Sequence, residues 1–286
     1  MASMRDIKRR KVSIQSTQQI TKAMKLVSTV KLQKARLRAE RSKTYFDYMY
    51  ATVTSMLAKS GNINHPYLVA GESKKKAIIV LTSNRGLAGG YNSNICKIVT
   101  NSDIPKEDAF VYAVGRKGKD FFARRGYEIK ADYSEVINEP LYKDAADISK
   151  SVLNSFANGE IGEIYLAYTS FKNTVSHIPN MIKLLPVEVN ETQVVKATDK
   201  LTMMNYEPEE EEALNVIIPK YVTSLIYGAL VEAVASENGA RMQAMDSATS
   251  NAEDMIEDLS LKYNRARQGS ITQELTEIIA GANAIS

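Results

Sequence analysis

The chain has little of what sites of chemistry are usually built from. One cysteine, Cys96, in 286 residues excludes an internal disulfide and any zinc site made of several thiolates. It also points to a reducing compartment. The two histidines, His65 and His177, fall in unrelated loop-like stretches. Each reads as a surface or capping residue rather than half of a catalytic pair. No G-x-S-x-G elbow occurs. No window approaches about 18 apolar residues, so no membrane-spanning segment is expected. The opening MASMRDIKRRKV is basic but leads into no apolar run, which excludes a secretory signal. A mitochondrial presequence is also basic and acid-poor, but the soluble cytoplasmic reading is favoured over it. The net charge of +4 selects no partner by itself.

Glycine and proline are missing where they would matter most. Residues 1–60 contain neither, the first being Gly61 and Pro66. Since these two residues punctuate helices, the stretch predicts one helix of roughly 85 Å at 1.5 Å per residue, longer than a compact domain needs. Ile20, Ala23, Val27 and Val30 step by three and four, the rhythm of a packed seam, and Lys34 and Arg41 continue the register. Near the other end, Pro208 and Glu209 to Glu212 read as a helix start, with carboxylates on the positive end of the dipole. Beyond Pro219, the last proline, Met245, Ala248, Ala252, Met255, Leu259, Tyr263 and Ala266 repeat the same stepping. Gly228, Gly239, Gly269 and Gly281 weaken this helix without ending it. Residues 1–60 carry 14 basic against 3 acidic side chains, and residues 207–286 carry 5 against 14. Two long helices of opposite charge, neither able to bury its stripe alone, predict an antiparallel coiled coil closed on itself.

The texture between them differs. AIIVLT (77–82), FVYAVG (110–115), EIYLAYT (163–169) and MIKLLPV (181–187) are apolar runs of strand length. They alternate with the helical patterns NSNICKIV, KGKDFFARR and DAADISKSVLNSF. This alternation predicts an α/β domain with a largely parallel, Rossmann-like sheet. The expected division is therefore 1–60, N-terminal coiled-coil helix; 61–206, inserted α/β domain; and 207–286, C-terminal coiled-coil helix.

Candidate chemistry is thin. Arg85-Gly86-Leu87-Ala88-Gly89-Gly90 lies where a strand turns into a helix, the position at which phosphates are often held. It fits neither G-x-G-x-x-G nor the P-loop pattern, and glycines there more often serve backbone geometry. Cys96 sits in an amphipathic helix, where a buried, inert thiol is expected. Glu209 to Glu212 point around a helix axis rather than converging on a metal. Lys8 to Lys11, Lys31, Lys34, Arg36 and Arg38 carry no interleaved aromatic for base stacking, and the acidic C-terminal helix offsets them, so no nucleic acid is expected. No cofactor, metal or direct small-molecule substrate is expected either.

Several long stretches resemble the gamma subunit of the F-type rotary ATP synthase from end to end. They are IQSTQQITKAMKLVSTVKLQKA (14–35), LTSNRGLAGGYN (81–92), YEP (206–208), ARMQAMDSATSNA (240–252) and YNRARQGSITQELTEIIAGA (263–282). The resemblance implies a non-catalytic rotor shaft, coupling ion-driven rotation of a membrane ring to ATP synthesis or hydrolysis in a ring of alpha and beta subunits. The implied partners are those subunits, the epsilon subunit and the ring of c subunits. The implied location is peripheral, on the cytoplasmic face of a bacterial membrane. Arg267, Gln268, Met24 and Lys25 match positions that meet the beta subunits, and Tyr206 and Glu207 match the foot on the membrane ring. Asn84, Ala88 and Asp246 depart from the residues common in that family. The competing readings are a freestanding coiled-coil scaffold and a nucleotide-dependent α/β enzyme.

Overall fold

The structure is a computed structural model that describes residues 4–59, 65–174, 176–187 and 210–285. Helix α1 spans Met4–Lys59, α2 Tyr91–Thr100, α3 Arg116–Arg124, α4 Tyr142–Ala157 and α5 Glu210–Ile285. Strands are β1 Lys76–Leu81, β2 Ala109–Val114, β3 Glu128–Asp132, β4 Glu163–Phe171 and β5 His177–Leu185. By compactness the chain divides into Met1–Ser28 with Arg241–Ser286, and Thr29–Ala240. This partition cuts across both long helices, whereas the three-part division read from sequence follows the change of element type.

In the larger unit the sheet order is β3-β2-β1-β4-β5. The first four strands are parallel and β5 is antiparallel to β4. Central strands β1 and β2 read KAIIVL and AFVYAV because both of their faces are covered. Ala77, Ile79, Leu81, Tyr112 and Val114 pack with Ile148, Val152 and Phe156 of α4 and with Leu214, Ile218, Val222 and Leu230 of α5. Ile78, Val80, Val111, Ala113 and Ala167 pack on the other face with Ile95, Cys96 and Val99 of α2 and Phe122 of α3. This is the predicted Rossmann-like domain. Strand β3, EIKAD, escapes a reading based on apolar runs because it is an alternating edge strand. Strand β5 begins at His177, four residues before the predicted run. Pro179 and Asn180 obscure it in sequence, yet proline is tolerated on an edge strand.

Helix α5 continues through Pro219, whose missing N–H removes one ladder bond. The expectation of no membrane-length apolar segment needs correcting. By length and composition one described helix, within Glu212–Asn283, qualifies, but half of its apolar window is buried inside the fold. The burial around Leu214 to Ala233 explains that composition: this part of α5 is a core helix.

At the start of β1 and β4, Glu163 accepts from Lys76 at 2.6 Å, Lys183 at 3.3 Å and the Tyr165 hydroxyl at 3.0 Å. Burial alone would raise the Glu163 carboxyl, but those three donors outweigh it and hold its pKa below 4.5. A depressed carboxylate pKa contributes stability that is present above the unfolded-state pKa and is lost as pH falls through the folded one. Glu163→Gln leaves two partly buried ammonium groups without their carboxylate, an expected cost of about 1–2 kcal/mol at pH 7. Thermal unfolding of parent and variant checks this: the difference is expected to shrink as pH falls below 4.5. An equal difference at pH 7 and at about pH 3 would exclude the ionic origin.

Candidate functional site

The first candidate is the crevice of the α/β domain. Helix α2 lies on one face of the sheet and α4 on the other, so the gap beyond β1 and β4 is the topological switch point where α/β folds take ligands. Here its polar groups answer one another. The Ser83 amide donates to Asn92 Oδ1 at 2.9 Å, and Asn92 Nδ2 donates back to Ser83 Oγ at 2.7 Å. Asn84 donates to the Ser134 carbonyl and accepts from the Arg116 amide. The Gly118 amide donates to Thr82 Oγ1, and a side chain at Gly115 (φ 111°) would lie 2.1 Å from the Thr82 carbonyl oxygen.

Helix α5 then closes the gap. Tyr91, the first residue of α2, donates to the Ala233 carbonyl. Ser236 donates to the carbonyl of Thr169 on β4, and Glu232 accepts from the Phe171 amide. The glycines therefore serve a tight strand-to-helix turn, in which Leu87 (φ 62°) is held exposed in the left-handed region. Burial pushes the Cys96 thiol up to about 12, out of reach as a nucleophile at neutral pH. His65 is a cap as expected, but a buried one: Nδ1 accepts from the Tyr67 amide and Nε2 meets Asn215 Oδ1. His177 departs from the surface reading, since its ring nitrogens are buried and the ring packs on Gly239.

The second candidate is the helical pair of the smaller unit. Three cross-helix bonds fix its direction and register: Gln18 Nε2 donates to Glu253 Oε1 at 3.0 Å, Thr21 Oγ1 and Thr249 Oγ1 lie 2.8 Å apart, and Lys25 Nζ donates to Asp246 Oδ1 at 2.6 Å. Numbers rise on α1 as they fall on α5, so the pair is antiparallel, as predicted. On α1, however, the seam is not the predicted stripe. Its least exposed positions are Ile7, Thr21, Ser28, Leu32 and Ala35, with Ile14, Gln18 and Lys25 between. Ile20, Ala23, Val27 and Val30 are exposed. At about 100° per residue they join Val12, Leu26 and Leu37 in one stripe facing away from the seam. On α5 the predicted Met245, Ala248, Ala252, Leu259, Tyr263 and Ala266 are buried or half-buried, whereas Met255 is exposed and Ile256 takes its place. The physical reason is that between Gln18 and Ser28 the seam is built from small and hydrogen-bonding side chains and Ile20, Leu26 and Val27 point outward, while Ile7, Ile14 and Leu32 stay on the inner face.

Among the residues singled out from sequence, Arg267 and Gln268 are exposed, and the Gln268 carbonyl accepts from the Thr272 hydroxyl. Met24 is half-buried, and Lys25 is engaged with Asp246. Tyr206 and Glu207 lie outside the described residues. Gln18, Thr21, Thr249 and Glu253 were missed as register-setting residues. The signal available was their spacing, which matches the seam but carries no hydrophobicity. Every residue from Ile271 to Asn283 is exposed, including Leu275, Ile278 and Ile279. Exposed aliphatic stripes of this extent mark interaction surfaces.

The register sets a direct test. Thr21→Cys with Thr249→Cys, in a Cys96→Ser background, is expected to form an intrachain disulfide on mild oxidation, because the hydroxyl separation places the Cβ atoms near bonding range. Val27→Cys with Met255→Cys is expected not to. Mobility on non-reducing gels reads both, and the reverse outcome would exclude this register.

A family model described as ATP synthase matches residues 3–285. An ATP synthase gamma chain of Lachnoclostridium phytofermentans is 75% identical over 291 residues, covering 100% of both chains. A solved chain of the Tetrahymena thermophila mitochondrial ATP synthase, central stalk/c-ring, is 26% identical with a TM-score of 0.58, over 80% of this chain and 99% of its own. A chain of the Euglena gracilis mitochondrial ATP synthase, OSCP/F1/c-ring, has a TM-score of 0.70 at 16% identity, over 99% of this chain and 94% of its own, a likeness of fold.

Proposed function

Because the chain belongs to the ATP synthase family, as a gamma chain, we infer that it works as the central rotor shaft of an F-type ATP synthase. It is a non-catalytic subunit, coupling ion-driven rotation of a membrane ring to ATP synthesis or hydrolysis in the surrounding catalytic ring. The observation that carries this reading is the middle of the helical pair, where Gln18, Thr21 and Lys25 are bonded across the seam while Ile20, Leu26 and Val27 are exposed. A freestanding scaffold would bury Ile20, Val27 and Val30 in its own seam. A shaft turning within a sleeve of other chains needs them on its outer surface. A nucleotide-dependent enzyme would need the crevice that α5 closes.

The beta-subunit contact is assigned to Arg267, Gln268 and Met24, with Lys25 shared between that contact and Asp246. Tyr206 and Glu207 are assigned to the foot on the ring of c subunits. The epsilon subunit is the further partner, and the cytoplasmic face of the membrane is the proposed location. The exposed tip at Ile271, Leu275, Ile278 and Ile279 supports an apolar sleeve, since burying each side chain favours association by about 1.5–3 kcal/mol before entropy is counted.

An affinity-tagged chain is expected to co-purify an ATPase complex, and purification without one would overturn the reading. Within that complex, Arg267→Ala with Gln268→Ala is expected to lower ATP turnover while leaving assembly largely intact. Hydrogen bonds to charged groups are worth about 1.5–3 kcal/mol, or about 10- to 100-fold in rate if made in the limiting step. Turnover per assembled complex, measured beside Lys150→Ala on exposed α4 surface, decides the coupling role. Equal rates in the two would remove it.

A further inference from the structure

Strand β4 runs past its inner neighbour. Its pairing with β1 ends at Ala167, whereas its pairing with β5 continues through Thr169–Pro179 and Ser170–Ile178 to Phe171–His177. Beyond Ala167 the sheet is a two-stranded ribbon that no third strand flanks among the described residues, and a lone ribbon of this kind is marginal in water. Helix α5 holds it instead. The Ser236 hydroxyl donates to the Thr169 carbonyl, and Glu232 Oε2 accepts from the Phe171 amide. The third hold is steric. A β-carbon at Gly239 would lie 2.6 Å from His177 Cε1 and 3.2 Å from Nε2, so the ring sits in a notch where the helix omits a side chain. Glycine weakens a helix relative to alanine, and here it admits the ring.

The seat suits an uncharged ring. Both His177 ring nitrogens are buried without a hydrogen-bond partner among the described residues. The Thr169 hydroxyl, on the same face of the ribbon, is also buried and unpartnered. Phe171 lies against the ring, with centroids 6.0 Å apart. A neutral imidazole carries one N–H, whereas the protonated form carries two and a full charge, which burial penalises unless they are partnered.

The charges on the surrounding elements are placed or committed elsewhere. On α5, Glu232 is bonded to the Phe171 amide and lies seven residues, roughly 10 Å, along the helix from Gly239. Glu237 and Arg241 are half-buried and have interactions of their own. Lys172, next to Phe171 on the hairpin, is exposed. Helix α2, which packs on β5, brings exposed Lys97 and Tyr91, whose hydroxyl is bonded to the Ala233 carbonyl. Burial accordingly lowers the His177 pKa below 6.5, against an opposing pull from the Thr174 backbone.

We propose that His177 is an acid-sensitive latch: its neutral ring, seated at Gly239, holds the overhanging end of the β4–β5 hairpin on α5, and protonation releases it. The direction follows from a base that is harder to protonate when seated. The preference for the seated ring is fully present above the unseated value of 6.5 and is lost as pH falls below it. The device lies within one unit of the chain and needs neither a partner nor rotation.

The test is amide hydrogen exchange of the full-length chain near pH 7.5 and near pH 5.5, corrected for the intrinsic effect of pH on exchange. Protection at the paired ends of β4 and β5 is expected to fall about five- to tenfold over that interval, while protection in β2 stays within about twofold. His177→Gln, which cannot titrate, is expected to hold the hairpin within about twofold across the same interval, with His65 retained throughout. Unchanged protection in the parent, protection that rises on acidification, or the same fall in His177→Gln overturns the latch. The seat is read separately. Gly239→Ala is expected to lower hairpin protection about tenfold near pH 7.5, because its methyl group meets the ring. In a His177→Ala background the same substitution is expected to cost nothing, since the ring is gone and alanine is the better helix former. An equal loss in both backgrounds overturns the proposal, and this comparison stands even where His177→Gln does not fold.

Discussion

The hydrogen-bonded ladder between α1 and α5 is the constraint on which the helical pair depends. Gln18–Glu253, Thr21–Thr249 and Lys25–Asp246 occupy positions that a self-sufficient coiled coil would give to leucine and isoleucine. Once small and polar side chains occupy the seam, the helices can approach closely and in one register, because a one-residue slip breaks all three bonds together. Specificity of this kind is usually obtained at a cost in stability. The cost is visible here: Lys25 and Asp246 are both more than a third exposed, and pairs of that kind contribute about 0–1 kcal/mol. The aliphatic side chains displaced from the seam are then free to face another protein.

The same helix that serves the pair also shapes the α/β domain. Residues Leu214 to Ala233 of α5 complete one face of the sheet core, and the next turn bonds the overhanging end of β4. A Rossmann-like sheet normally leaves the switch point open for a ligand. Here Tyr91, Thr169 and Phe171 are bonded to α5 at that place, so the crevice has become a joint. The sheet is Rossmann-like, but the place where such sheets take ligands is occupied by the chain's own helix.

Much of this was legible in the residues, and what was not has a common cause. The buried runs AIIVLT and FVYAVG declared β1 and β2, and sixty residues without glycine or proline declared α1. The α/β class and the antiparallel pair followed. Seam positions on α5 were largely correct, because Met245, Ala248 and Ala252 are apolar as well as periodic. On α1 the periodicity points to Ile20, Val27 and Val30, since periodic aliphatics ordinarily mark the face turned inward. That rule assumes the chain supplies its own core. In the structure those side chains are exposed, so the stripe was assigned to the seam when it lies on the opposite face of α1. Strand β3 failed for a related reason: edge strands need not be apolar. Arg267 and Gln268 came from resemblance rather than spacing, and their exposure is consistent with a contact made outside the chain.

A shaft that transmits torque must satisfy two requirements that pull against each other. It must hold its helices in register under load, yet present outward a surface on which a partner can slide from one state to the next. Deep interdigitation of large side chains would meet the first requirement by committing the aliphatics inward, leaving little apolar surface for the sleeve. Directional bonds meet it differently. Each fixes register through geometry while burying little area, so the apolar groups stay available for contacts remade at each step. Ile20, Val27, Leu275 and Ile278 stay exposed, so a partner that covered them would add burial that the seam does not supply.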